Sequence, residues 1–276
     1  MPFIHRPVLV LSLCLSALAA CDSSAEPLAS PSEALELSMW PALPPGLSDE
    51  APGAVDLSAA VESAAKKPKP PKPKHLVASD EEAAAWVQWV MALPYSDGPV
   101  SDPDGSHCGW GQGGPLWFLA GTRGGPVERE CHIPKGKDLV FPLVNRWCVF
   151  FPEYYPTEAS IEAATPAQIA SLETMSEYAC SLTLRVDGVD MLAKVEDFDS
   201  LFVLTEERFP VDVDEDNFAS ANGVAGGPAE ALTGGHYVRL KALKPGDHVL
   251  ELGGALCWQG EVFFETYAKY DLHVGD

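Results

Sequence analysis

The chain has little positive charge. Its 276 residues include 18 lysines and arginines against 40 aspartates and glutamates, so the formal net charge at pH 7 is −22. A surface of this sign repels the phosphates of nucleic acids and anionic lipid headgroups. The composition therefore excludes nucleic acid as a partner. It leaves the fold class open, because net charge governs association and solubility.

The signatures of several well-known catalytic and cofactor sites are also missing. The chain contains neither the Gly-x-Ser-x-Gly elbow of serine hydrolases nor the His-Glu-x-x-His motif of zinc proteases. The glycine-rich residues 109–114 lack the Lys-Ser/Thr pair of a phosphate-binding loop. The acidic residues 212–217 have Asn217 where an EF-hand requires glycine, which favours a solvated acidic loop over a looser calcium site. The sequence thus predicts no catalytic residue, metal or cofactor.

Only the N-terminus carries a long apolar run. Residues 8–20 are fewer than the ~18 apolar residues of a membrane-spanning helix and end in small residues, as secretory signal peptides do. Residues 18–21, Leu-Ala-Ala-Cys, resemble a bacterial lipobox. The resemblance implies that residues 1–20 are a cleaved lipoprotein signal peptide and that Cys21 is lipidated, with palmitate as a typical acyl chain. We therefore expect an exported protein, anchored by lipid to a bacterial membrane of the cell envelope.

Residues 21–78 have the composition of a disordered tether. They are rich in alanine, serine, proline and glutamate and show no sustained hydrophobic periodicity, so they bury too little apolar surface to offset chain entropy. Alternating proline and lysine at 66–74 favour an extended polyproline II spacer. We favour a solvated basic linker over a contact with anionic lipid or wall polymer. The remaining residues, 79–276, are enough for one domain with its own core.

Two helices are predicted in this domain. Ser79 and Glu82 fit a capping box, and the apolar residues that follow recur at helical spacing. Trp86 and Trp89 lie on the apolar face, so we expect them to dock the helix on a sheet rather than to stack on a sugar. A second helix is predicted over 165–179.

The rest of the domain shows strand patterns. Residues 139–144 form a continuous apolar run, 187–188 (Asp-Gly) favour a hairpin turn, and residues 262–274 alternate with a period of two. Many short strands separated by turn signals are typical of sandwiches. We predict a mostly β fold, an antiparallel β-sandwich of jelly-roll-like type with two accessory α-helices.

One block of residues resembles a known group of proteins. Residues 104–122 read DGSHCGWGQGGPLWFLAGT, residues 129–137 read RECHIPKGK, and residues 140–145 read VFPLVN. This order resembles a pattern, C-x-x-G-Q-x-G-P-x-W-F-L-A-G-T … R-x-C-x-x-P-x-G-K … F-P-x-x-N, shared by uncharacterised exported bacterial proteins. The resemblance implies a single domain with disulfides and supplies no catalytic residues.

Histidine and cysteine form a mirrored pair of dipeptides, at 107–108 and at 131–132. Two cysteines and two histidines can hold zinc tetrahedrally. However, adjacent side chains of an extended chain point to opposite faces, which makes joint ligation difficult. An exported chain also meets an oxidising compartment. We therefore favour a Cys108–Cys131 disulfide over a zinc site.

An odd number of cysteines remains for disulfide pairing, so one thiol stays unpaired. Of the seven cysteines, Cys14 leaves with the signal peptide and lipid occupies Cys21, so an odd number remains. We predict Cys148–Cys180 as the second disulfide, which would pin the second helix to a strand. This pairing leaves Cys257 as the free thiol.

The candidate binding residues lie beside Gly/Pro-rich loops and strands; they are Trp110, Gln112, His132, Asn145 and Trp258. Exposed tryptophans stack on sugars, although the same residues also serve to close a core. The expected function is a non-enzymatic binding or structural module, displayed on a tether, with a carbohydrate or an envelope protein as partner. The alternative is a glycan-active hydrolase or lyase whose groove is lined by Gln112, Asn145 and His132.

Overall fold

The computed structural model describes residues 76–275. The predicted signal peptide, the predicted lipidation site Cys21 and residues 21–75 of the predicted tether lie outside the described residues. Export and lipid anchoring therefore stay predictions. Within residues 76–275, neither helix is both long and apolar enough to cross a membrane.

Residues 76–275 contain two α-helices, ten β-strands and two short 3-10 helices. The helices are α1 (Asp80–Met91) and α2 (Glu158–Tyr178). The strands, in chain order, are β1 (Leu116–Phe118), β2 (Gly125–Pro134), β3 (Asp138–Phe150), β4 (Ala179–Val186), β5 (Val189–Asp190), β6 (Phe202–Leu204), β7 (Phe209–Val213), β8 (Gly227–Leu240), β9 (Gly246–Trp258) and β10 (Glu261–Gly275). The mostly β class with two helices is confirmed.

The strands form two five-stranded sheets. In sheet A the order is β1-β3-β8-β6, with β7 also paired to β8, and in sheet B it is β2-β10-β9-β4-β5. Most neighbours are antiparallel, as predicted, but β1 pairs with β3 and β2 pairs with β10 in parallel. The chain visits the opposite sheet between these partners and returns in the same direction, so a hairpin does not connect them. The sandwich is therefore mixed rather than purely antiparallel.

A hydrophobic core fills the space between the two sheets. Alternate side chains along each strand face inward, because successive residues of a strand point to opposite faces. They include Leu139, Phe141 and Leu143 of β3, Leu250 and Leu252 of β9, and Ala268, Tyr270 and Leu272 of β10. This alternation confirms the period of two that the sequence shows over most of β10.

Helix α1 packs on the outer face of sheet A. Its capping box is formed: Glu82 donates its backbone N–H to Ser79 Oγ at 3.2 Å, and Ser79 donates its own to the Glu82 carboxylate at 3.0 Å. Trp86 and Trp89 are buried in the cluster beneath the helix. The prediction that this pair docks a helix on a sheet is confirmed.

Helix α2 is longer than predicted. It begins at Glu158, seven residues before the predicted start, and Thr157 caps it by accepting the backbone N–H of Ser160 at 3.2 Å. The capping pattern uses serine where glutamate or glutamine is usual, so it is hard to recognise in the sequence. Pro166 consequently lies inside the helix, where it removes one backbone hydrogen bond.

The folded domain begins before residue 79, because residues 76–78, which the composition assigns to the tether, pair with β8. Val77 forms an antiparallel bridge to Val238 of β8. Ala78 donates its N–H to Tyr237 O at 3.1 Å, and Arg239 donates to Leu76 O at 2.7 Å. These contacts cover one edge of β8, so the folded domain already contains Leu76.

The structure corrects the second disulfide. Cys108–Cys131 is formed as predicted, but the predicted Cys148–Cys180 bond is wrong, because Cys180 is joined to Cys257. The start of β4 pairs with the end of β9, which places these two cysteines side by side. Cys148 is the free thiol among the described residues and donates to Gln168 Oε1 at 2.9 Å beneath α2. Burial raises the pKa of this thiol to about 11, so it stays protonated.

A buried arginine fastens the loop before β1 to sheet B. Arg129 points inward from β2, and its guanidinium donates to the backbone carbonyls of Val100, Asp102 and Ala120 at 2.8–3.1 Å. It also donates to Tyr270 Oη at 2.8 Å. Because a buried charge without hydrogen bonds is costly, this set of acceptors explains how the side chain is tolerated there.

Candidate functional sites

The side chain of the predicted site residue Gln112 forms hydrogen bonds with the backbone of its own loop and of β1. Its Nε2 donates to Cys108 O at 3.0 Å and to Phe118 O at 2.8 Å, while its Oε1 accepts the Phe118 N–H at 2.9 Å. The side chain thereby ties the glycine-rich loop to β1. Trp110 of the same loop is 39% exposed and stacks on His107 with ring centroids 3.9 Å apart.

Asn145 belongs to a buried network in sheet A. Its Nδ2 donates to Tyr237 Oη at 2.7 Å, and this hydroxyl lies 2.7 Å from Thr233 Oγ1. Burial raises the pKa of Tyr237, so the phenol stays protonated. The amide of Asn145 therefore positions core side chains of sheet A, whereas His132 belongs to β2 in sheet B.

His132 lies on the outer face of sheet B. As expected for neighbours in a strand, His132 is exposed whereas Cys131 is buried. Its imidazole stacks on that of His273 from β10, with ring centroids 4.8 Å apart. The hydrogen bond that His273 donates to the Asp247 carboxylate, together with the charge of that carboxylate, raises the pKa of His273. His273 is a residue that sequence reasoning missed, because the pairing of β2 with β10 joins distant parts of the chain.

Trp258 lies in an exposed apolar surface at one end of sheet B. We call Tyr178, Trp258, Val262 and Phe263 the Trp258 surface. Trp258 and Val262 are each 57% exposed and Phe263 is 42% exposed; Trp110 is the other large hydrophobic residue exposed within residues 76–275. Tyr178 contacts Trp258 and Phe263 edge-on, with centroid distances of 5.6 and 5.9 Å.

Rigid elements hold this surface in place. The turn between β9 and β10 has positive φ at both Gln259 (54°) and Gly260 (88°), a conformation that suits a two-residue hairpin. The disulfide at Cys257 ties the same end of β9 to β4. A bulge between Val262 and Phe264 then inserts an extra residue into β10.

The bulge explains why Val262 is exposed although the alternating sequence pattern predicts that it is buried. The period of two predicts that Val262 faces the same way as the buried residues Ala268 and Tyr270. A bulge inserts one residue and breaks the alternation, so Val262 is exposed instead. Sequence reasoning likewise missed Tyr178 and Phe263, since nothing local marks the end of α2 as a neighbour of the β9–β10 turn.

No protein-family model, curated protein or solved structure matches this chain.

Proposed function

We propose that the protein is a bacterial envelope lipoprotein whose domain binds a neutral glycan through the Trp258 surface. The observation that carries this proposal is the exposure of the Trp258 ring beside Phe263, with Tyr178 bracing both rings. The lipobox-like residues 18–21 and the proline-rich tether support the anchored, exported location. In this proposal the domain is a binding module and not an enzyme.

The exposure of these side chains supports binding over a purely structural role. Burying a large apolar side chain stabilises a fold by about 1.5–3 kcal/mol, so a cluster left in water gives up that gain. Contiguous exposed apolar patches commonly mark interaction sites. The disulfide and the tight turn beside Trp258 also hold the ring in position before a ligand arrives, which lowers the entropy lost on binding.

The chemistry of the surface favours a neutral glycan. The face of an indole ring packs against the apolar C–H face of a sugar, and Gln259 and Glu261 beside Trp258 supply groups that hydrogen-bond hydroxyls. The net charge of −22 disfavours anionic polymers. The engagement of Gln112 and Asn145 with their own neighbours weakens the alternative of a hydrolase or lyase groove.

Retention by defined polysaccharides tests the proposal. The full-length protein, purified as the expressing cell processes it, is run on native gels that contain galactomannan, xyloglucan or mixed-linkage glucan, and is mixed with insoluble chitin and cellulose. Polygalacturonate serves as the anionic control. We expect retention by at least one neutral glycan and none by polygalacturonate.

Two variants show whether the retention uses the proposed surface. Trp258→Ala should abolish the retention, whereas Trp110→Ala, which removes the other exposed tryptophan, should leave it within twofold. Retention by no neutral glycan overturns the proposal, and so does retention that Trp258→Ala does not change. Concentration-dependent self-association that Trp258→Ala abolishes would instead identify the surface as an interface between copies.

A further inference from the structure

The outer face of sheet B gathers four side chains with ligand chemistry. The parallel register of β2 and β10 places His132 directly beside His273, and Glu130 lies two residues earlier on the same face of β2. The antiparallel register of β9 and β10 places Asp247 on the other side of His273. All four side chains stand on hydrogen-bonded strands, which hold functional groups more accurately than loops do.

The distances among these side chains suit a small cation. Glu130 Oε1 lies 3.5 Å from His132 Nε2 and 3.2 Å from His273 Nε2. One ligand atom from each of the three residues lies within 4.8 Å of the other two. Metal–ligand distances of about 2.0–2.1 Å in a tetrahedron correspond to ligand–ligand distances of about 3.3 Å. Small rotations of exposed side chains would complete this arrangement.

Asp247 orients the imidazole of His273 through a hydrogen bond. Its Oδ1 lies 2.7 Å from His273 Nδ1 and accepts the Nδ1–H, which leaves Nε2, 3.2 Å from Glu130 Oε1, as the nitrogen available to a metal. Histidines that bind metals usually donate their second ring N–H to such a carboxylate. The arrangement fixes both the tautomer and the orientation of the ring.

We propose that Glu130, His132 and His273 bind a divalent transition-metal cation of the zinc and copper class, with Asp247 as the positioning residue. Imidazole ligands favour zinc, copper and nickel over calcium and magnesium, which prefer all-oxygen sites. Water fills the remaining coordination position, because the cluster lies on the solvent-exposed face of the sheet. The site is independent of the Trp258 surface.

An ion-pair network is the competing account of the same cluster. Exposed pairs of this kind contribute about 0–1 kcal/mol each, so they give little reason for four such groups to converge. The rings of His132 and His273 also lie with their centroids 4.8 Å apart, and both Nε2 atoms lie within 3.5 Å of Glu130 Oε1, which is the convergence that a shared cation requires.

Calorimetric titration of the full-length protein with ZnCl₂ tests the proposal, and the protein is purified without a polyhistidine tag. We expect one Zn²⁺ per chain, tighter binding of Cu²⁺ in the same format, and no binding of Mg²⁺. His132→Gln, His273→Gln and Glu130→Gln should each weaken zinc binding by more than about tenfold, and Asp247→Asn by about tenfold.

Matched controls separate ligation from general charge effects. Glu128→Gln makes the same change two residues from Glu130 on the same face of β2, and His248→Gln removes a histidine that Asp187 and Lys244 already hold. Both should bind zinc within twofold of the parent. The absence of saturable binding, or binding unchanged in His132→Gln, overturns the proposal. The side chain of His132 is 79% exposed, so its replacement leaves the fold intact, and circular dichroism verifies this.

Discussion

Trp86 on α1 and Trp258 at the end of β9 have the same side chain in contrasting surroundings. Trp86 is 2% exposed, its Nε1–H donates to Leu119 O at 2.8 Å, and it contacts Trp147 and Tyr237. Trp258 is 57% exposed and contacts Tyr178 edge-on. One indole therefore stabilises the fold, whereas the other leaves more than half of its surface in solvent. Replacing each tryptophan in turn should therefore affect stability very differently.

The largest expected effect comes from Trp86→Ala. Removing a fully buried aromatic side chain costs about 3–5 kcal/mol, through lost burial and the cavity that remains. Urea unfolding followed by far-UV circular dichroism measures this free energy. Trp86→Phe, which keeps most of the packing but loses the hydrogen bond to Leu119, should lose less than half as much. A loss below about 1 kcal/mol for Trp86→Ala contradicts the structural role.

The next largest loss of stability is expected on removal of the disulfide beside Trp258. Cys180 and Cys257 are 77 residues apart, and the chain-entropy model predicts that such a crosslink stabilises the fold by about 4.5 kcal/mol. Measured disulfides often contribute less than this model predicts. We expect the Cys180→Ser/Cys257→Ser double variant to lose about 3 kcal/mol in the urea experiment. Peptide mapping of the unreduced parent should find Cys180 linked to Cys257. A Cys148–Cys180 peptide in that map would contradict the pairing.

His236 is a buried residue whose effect on stability should depend on pH. Within residues 76–275, neither of its ring nitrogens has a hydrogen-bond partner. Burial lowers its pKa from 6.5 to about 4. As pH falls below about 6.5, the unfolded chain therefore takes up a proton that the native protein does not. This residue should remove about 2 kcal/mol of stability between pH 7 and pH 5, and nothing further below about pH 4.

His236→Leu isolates that effect. The loss of stability between pH 7 and pH 5 should be about 2 kcal/mol smaller in the variant than in the parent. Equal pH dependence in His236→Leu and the parent would show that His236 protonates normally in the folded protein.

Local signals in the sequence were enough for part of this fold. The capping box at Ser79 and the helical spacing of Trp86 and Trp89 depend on neighbours within one or two turns, and they place α1 and its buried face correctly. The Asp187-Gly188 turn is local too, and both residues have the positive φ of a tight hairpin. Local interactions of this kind are expressed in short stretches of sequence.

The remaining features depend on which strands lie together. Cys257 meets Cys180 only because β4 pairs with β9, and His273 meets His132 only because β10 pairs with β2 in parallel. The exposure of Val262 depends on a bulge that the alternating pattern does not reveal. Long-range pairing sets these neighbours, so no pattern within a short window contains them.

The smallest expected effect on stability is that of Trp258→Ala. This variant also tests most directly whether Trp258 serves binding rather than folding. The free energy of unfolding and the retention by the neutral glycan found for the parent are measured on the same preparation. We expect a loss of stability below about 1 kcal/mol together with abolished retention. A loss close to that of Trp86→Ala, or retention equal to that of the parent, would contradict this expectation.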